Sequence, residues 1–178
     1  IDDRIVEILD VEKVLAEIAP YHTGLDDSAY DKELMEAIKG KDILLVDDSH
    51  VAIQQMRQVL EPMGMNIIEA GNGLDAYQLL MHWKQEGRDI ANRLMMIIMD
   101  AEMPEMDGYM LTTEIRRDPE LKGTIVVLHT SLSGNFNKAM VEKVGCDGFL
   151  SKFKPEAMAK EVQRLLRQKL KMPPREAL

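Results

Sequence analysis

Met95-Met96-Ile97-Ile98-Met99-Asp100 is an apolar run that stops abruptly at a carboxylate, and the rest of the chain is read outward from it. A segment apolar on both faces suits a central parallel strand with helices on each side. The residues that follow, Ala101-Glu102-Met103-Pro104-Glu105-Met106-Asp107-Gly108, read as a loop with turn chemistry at Pro104 and Asp107-Gly108. Asp100 then stands at the carboxyl end of a sheet, where open α/β folds place their ligands. The expectation is that Asp100 is a phosphate-accepting nucleophile.

The flanks repeat one pattern. Residues 43–46 form a second buried-type strand, ending in Asp47-Asp48-Ser49, and Ile53, Met56, Val59, Leu60 and Met63 recur at helical spacing after it. Residues 66–70 read as a strand and 73–86 as a helix with Ala76, Leu79, Leu80 and Trp83 inward, followed by a polar connection over 86–93. Downstream, 109–117 reads as a helix stopped before Pro119, 125–129 as a strand and 135–144 as a helix ended by Gly145. Residues 148–151 make the last strand. A final helix carries Met158, Val162, Leu165 and Leu166 on one stripe, with Pro173-Pro174 beyond it. Five strands alternating with five helices imply right-handed βαβ units and an α/β, doubly wound parallel sheet.

The front of the chain differs. Residues 4–9 read as a strand, and Val11, Val14, Leu15 and Ile18 recur at helical spacing until Pro20. Residues 20–33 keep no period and are expected to be linker, with a short helical turn over 34–38 ended by Gly40. Residues 21–40 are therefore assigned to a linker, 41–171 to the main domain and 172–178 to a tail. Residues 1–40 hold 11 acidic and 4 basic side chains, a net −7 of the chain's −9. A near-neutral main domain behind an acidic front argues against nonspecific nucleic-acid binding.

With 178 residues, 46% of them hydrophobic and 30% charged, the chain has room for one ordinary globular domain and an appendage. No apolar run approaches the roughly 18 residues of a membrane span, so no direct membrane insertion is expected. The single cysteine, Cys146, rules out an internal disulfide framework and fits a reducing compartment. Ile1 falls inside what reads as an element, as expected of a fragment of a longer protein, and no effector is expected after the last helix.

Asp47 and Asp48 end one strand and Asp100 another, and carboxylates at one sheet edge repel unless something positive lies among them. A hard cation with oxygen ligands answers this, and Mg²⁺ characteristically takes one or two carboxylates plus water and phosphate oxygens. Thr130-Ser131 adds hydroxyls at the end of the fourth strand, and Lys152 an ammonium at the end of the fifth.

Leu45-Val46-Asp47-Asp48-Ser49, the stretch Met99–Gly108, His129-Thr130-Ser131 and Asp147-Gly148-Phe149-Leu150-Ser151-Lys152 together resemble the response-regulator receiver domain over roughly residues 41–171. The resemblance implies the flavodoxin-like strand order 2-1-3-4-5, which makes the Asp48 and Asp100 strands neighbours. It implies that Asp100 accepts a phosphoryl group from a histidine kinase. It also implies that Asp48, with Asp47 partly through water, holds Mg²⁺ beside the Asp100 carboxylate and the backbone carbonyl of Glu102. Lys152 and the cation would offset charge on the moving phosphoryl oxygens, and Thr130 would donate to one of them. Phe149 matches the switch aromatic that turns inward when Thr130 moves.

Three features depart from the pattern, one being the lengthened connection over 86–93 after the second helix. Receiver lysines are usually followed by proline in a cis peptide, whereas Phe153 follows Lys152 and a trans bond is expected. Lys154-Pro155 offers a competing alignment. Glu102 brings a side-chain carboxylate beside the site, where it is expected to affect loss of the phosphoryl group to water.

Ser151-Lys152-Phe153-Lys154-Pro155 is similar to the receivers of CheV-type chemotaxis proteins, and residues 1–20 resemble the end of a CheW-like coupling domain. The implied role is a cytoplasmic, phosphorylation-controlled coupling between chemoreceptors, reached through an upstream domain, and the chemotaxis histidine kinase. The protein is expected to be no enzyme beyond its own phosphorylation and dephosphorylation. A stand-alone receiver is the nearer alternative. A magnesium-dependent aspartyl phosphatase would carry a second acid followed by Thr or Val, and Asp100-Ala101-Glu102-Met103 departs from that. A nucleotide-binding module would carry a Gly-rich or hydroxyl-rich phosphate loop where Asp47-Asp48-Ser49-His50 stands. The plainer assignments are Asp48 and Ser49 as caps of the following helix, Ser131 as a helix cap, the methionines as core or loop filler, and His50, His82 and His129 without chemistry.

Overall fold

The computed structural model describes residues 23–131, 135–152 and 154–175, without the side chains of 135–138 and 140. The strand and helix expected in residues 1–20, and the Lys152–Phe153 peptide, lie outside the described residues.

Asp42–Val46 (β1), Leu94–Met99 (β3) and Ile125–Thr130 (β4) are buried along their whole length, as strands covered on both faces must be. Asn66–Ala70 (β2) and Gly148–Ser151 (β5) are only partly buried and form the edges of a five-stranded parallel sheet of order 2-1-3-4-5. The expected order and fold are thus present.

Alternation along the strands splits the core in two. Ile43, Leu45, Ile98, Val127 and Leu150 face one side, where they meet Lys32–Ile38 (α1), His50–Leu60 (α2) and Pro155–Lys169 (α7). Leu44, Val46, Ile97, Met99 and Leu128 face the other. There they meet Gly73–Gln85 (α3), Ile90–Arg93 (α4), Gly108–Arg117 (α5) and Asn135–Val144 (α6). The β1–β3 register slips between Asp42 and Ile43, which pair with Leu94 and Met96, so Met95 and Met96 both enter the first core.

The described residues contain seven α-helices: the five of the expected alternation, α1 where a short helical turn was expected, and α4, which was not expected. Within residues 21–40, the short helical turn expected over 34–38 is present as part of α1. Asp31 caps α1 through Oδ1 to Leu34 N–H at 3.1 Å, and Leu34 and Ile38 are completely buried. Tyr30 donates its hydroxyl to the carbonyl of Val59 at 3.0 Å. The sequence shows the turn but not its burial, because seven residues are too few to display a sustained amphipathic period.

The polar connection 86–93 also has a purpose. It carries Arg88 and Arg93 to Asp42, which is 1% exposed at the amino edge of the sheet, at 2.7 and 3.3 Å. Those guanidiniums, with Asn66, hold the Asp42 carboxyl below its ordinary value even though burial pushes it upward. Arg88 also stacks 4.2 Å above the Trp83 ring. No described helix is long and apolar enough to cross a membrane.

Candidate functional site

Four strand ends build the site, and backbone bonds continuing the sheet ladders set its residues. Asp47 N–H donates to Ala70 O at 3.2 Å, Asp100 N–H to Val46 O at 2.9 Å and Lys152 N–H to Thr130 O at 3.0 Å. Asp47, Asp100 and Lys152 are thus anchored by rigid neighbours although each lies just past its strand. The next residue after the Asp pair, Ser49, caps α2 by accepting Ala52 N–H, as expected for a helix entered directly from a strand.

Asp47, Asp48 and Asp100 bring carboxylate oxygens within 4.8 Å of one another; Asp47 and Asp100 are buried and Asp48 is exposed. Lys152 enters this group from β5, with Nζ 2.9 Å from Asp100 Oδ2 and 2.9 Å from Asp47 Oδ2. The Asp100 contact is a hydrogen bond. The Asp47 contact is an ion pair off the donating direction, and Asp47 Oδ2 has no hydrogen-bond partner among the described residues.

Burial raises the Asp47 carboxyl above its ordinary value, against the opposing Ser49 N–H bond and the Lys152 ammonium. Burial lowers Lys152, but its hydrogen bond to Asp100 and its close pairing with Asp47 outweigh that and leave it raised. One ammonium thus faces three carboxylates at the carboxyl edge of the sheet. Three carboxylates balanced by a single ammonium leave excess negative charge on oxygen ligands, which a hard divalent cation satisfies, so the residues fit Mg²⁺.

The loop after β3 is held close to the site. Glu102 N–H donates to Asp100 Oδ1 at 3.2 Å, and its exposed side chain lies outside the carboxylate cluster. Glu105 takes a left-handed φ of 67°. Asp107-Gly108, expected only as a turn, is the start of α5: Asp107 Oδ1 accepts Met110 N–H at 2.8 Å. A Cβ on Gly108 would lie 2.4 Å from Asp100 O, and one on Gly73 would lie 2.1 Å from Met106 O. Gly108 lets backbone approach backbone beside Asp100 and Gly73 does so against the loop at Met106, requirements that the sequence signals only as Gly at a helix start.

Thr130 ends β4 and is 1% exposed. Phe149 lies opposite Leu128 in the β4–β5 register and packs, half-buried, on the α3–α6 side. Alternation puts Thr130 on that same side and His129 on the other. Lys154, the competing lysine, is exposed, and its bond to Pro155 is trans like every described peptide. Ser131 lies four residues before α6, whose capping position falls outside the described residues.

The sheet is thus doubly wound, with an acidic cluster and Lys152 at its carboxyl edge. The chain belongs to the response regulator receiver domain family, whose model matches residues 43–163. It is similar to the chemotaxis proteins CheV1 and CheV3 of Helicobacter pylori. These are 31% identical over 96% of this chain and 50% of the relative, and 30% identical over 93% and 52%. The chain thus spans about half the length of these relatives. Among solved structures, CheY4 of Vibrio cholerae is 28% identical over 71% of this chain and 98% of its own, with a TM-score of 0.59.

Proposed function

We propose that Asp100 receives a phosphoryl group from a histidine kinase and that the protein acts as the receiver of a CheV-type chemotaxis coupling protein in the cytoplasm. The observation carrying this reading is the Lys152 ammonium 2.9 Å from both Asp100 and Asp47 at the sheet edge. An Asp100 carboxylate oxygen attacks phosphorus, the bond to the donor nitrogen breaks, and an acyl phosphate results. Lys152 turns from carboxylate to phosphoryl oxygen as charge moves onto it. Asp48 and Asp47, with Asp100 and the Glu102 carbonyl, would hold Mg²⁺, which when bound supplies charge neutralisation for the phosphoryl oxygens.

Thr130 then donates to the acyl phosphate. Because it shares a sheet face with Phe149, its movement is coupled to that ring's packing. Similarity to CheV1 and CheV3 along nearly the whole chain supports a coupling role between chemoreceptors and kinase, exercised through an upstream CheW-like region to which residues 1–20 would belong. With Mg²⁺ and a small phosphodonor, phosphate-affinity electrophoresis should show a shifted band that Asp100→Asn abolishes. A band surviving in Asp100→Asn and disappearing in Asp47→Asn would refute the assignment.

A further inference from the structure

His129 is a buried ring that the phosphoryl chemistry leaves unused. Strand alternation sets it opposite Thr130, on the α2–α7 side, where it is 2% exposed. A cavity of about 10 Å³ lies there between His129, Gln55 of α2 and the start of α7. Met56 and Val59 of α2, with Pro155 and Met158 of α7, give it apolar sides. Gln55 is 7% exposed, so both polar residues are more than nine-tenths buried, and they come from different elements. Their free atoms, His129 Nδ1 and Gln55 Oε1, are enclosed, and neither has a hydrogen-bond partner among the described residues. The two residues thus line one cavity without bonding each other.

A polar atom buried without a partner loses its full hydration, a larger penalty than immobilising one water between two such atoms. About 10–15 Å³ admits a single water, so the cavity has room for one and excludes any larger ligand. We infer that one buried water molecule bridges His129 Nδ1 and Gln55 Oε1 and ties the carboxyl end of β4 to α2. The amide oxygen accepts one water hydrogen, and Nδ1 accepts the other or donates to the water oxygen, according to its tautomer. A cation is disfavoured in this place. Burial and the nearby Lys152 charge hold His129 neutral, with a pKa of about 3, and that same charge repels a second positive group. The bridge rests on no step of phosphoryl transfer.

In the isotopically labelled 178-residue chain, the His129 ring protons should give a nuclear Overhauser cross-peak to water with the sign of a slowly tumbling molecule. Gln55→Leu, which removes the acceptor and keeps an apolar side chain, should abolish that cross-peak and shift the Nδ1 resonance. The Lys152 amide, which donates to Thr130 O at 3.0 Å, should then exchange with deuterium about threefold faster. The Leu45 amide, in central β1, should keep its rate. Lys154→Met leaves both bridged atoms in place and should leave the cross-peak as well. Its loss in that variant would make the Lys154 ammonium the donor and overturn the inference. So would a wild-type ring without water contact, or a cross-peak that survives in Gln55→Leu. Lys152 and Leu45 amides that respond alike to Gln55→Leu would overturn the tie between β4 and α2.

Discussion

Lys152 is the residue on which the site turns. Its ammonium is a shared partner for two carboxylates, and its removal would leave buried Asp47 facing Asp100 without compensation. Lys152→Ala should therefore slow phosphorylation by a small phosphodonor by about two orders of magnitude or more, the scale of losing one transition-state donor. Lys154→Ala, altering an exposed side chain, should change the rate less than twofold, and rapid-mixing kinetics on the two variants separates the alternatives. A large loss at Lys154 with little at Lys152 would mean that the β5–α7 loop carries a different lysine in solution. Spacing from Asp147-Gly148 made Lys152 legible in the sequence, because a four-residue strand leaves little freedom for where its end falls. The burial of Asp47 beside an exposed Asp48 was not legible: two consecutive carboxylates look alike until the Asp47 N–H is tied to β2.

At the scale of elements, α1 shows where sequence periodicity runs out. A seven-residue helix offers two buried positions, Leu34 and Ile38, enough to read as a short turn but too few to reveal a packed element, yet both are fully enclosed in the core shared with α2 and α7. Leu34→Ala should cost about 2–5 kcal/mol in a urea titration, the range for a truncated core leucine. A linker residue would give a change within about 0.5 kcal/mol. The longer elements were readable for the converse reason. β1, β3 and β4 are continuous apolar runs, and α2 and α7 repeat their buried positions over three or more turns. The short α4 escaped notice because its sequence advertises polarity, while its value lies in presenting Arg93 to Asp42.

For the molecule as a whole, one buried group sets an acid limit. His129 is 2% exposed on the α2–α7 side, and burial, reinforced by the Lys152 charge, lowers its pKa to about 3. The folded state therefore refuses a proton that the unfolded chain accepts near pH 6.5. Stability from this source is complete above that pH and is lost as pH falls toward 3. Replacing His129 by Leu should spare about 2 kcal/mol of the loss in unfolding free energy between pH 7 and pH 5, measured by urea titration at both values. Equal losses in the two proteins would show that His129 is protonated in the fold.

Arg167 gives the molecule a mechanical property. Its guanidinium pairs with Asp31, lies 3.2 Å from Glu33 and donates to the carbonyl of Pro173 at 2.6 Å. Gln163, one turn earlier, accepts the Asp31 N–H at 2.7 Å. Tension applied upstream of Thr23 would therefore enter α7 directly, and the first turn of that helix follows Lys152 by three residues. These ties join the segment around Asp31 to α7, so a load entering at Thr23 would be carried along that helix toward the carboxylate cluster.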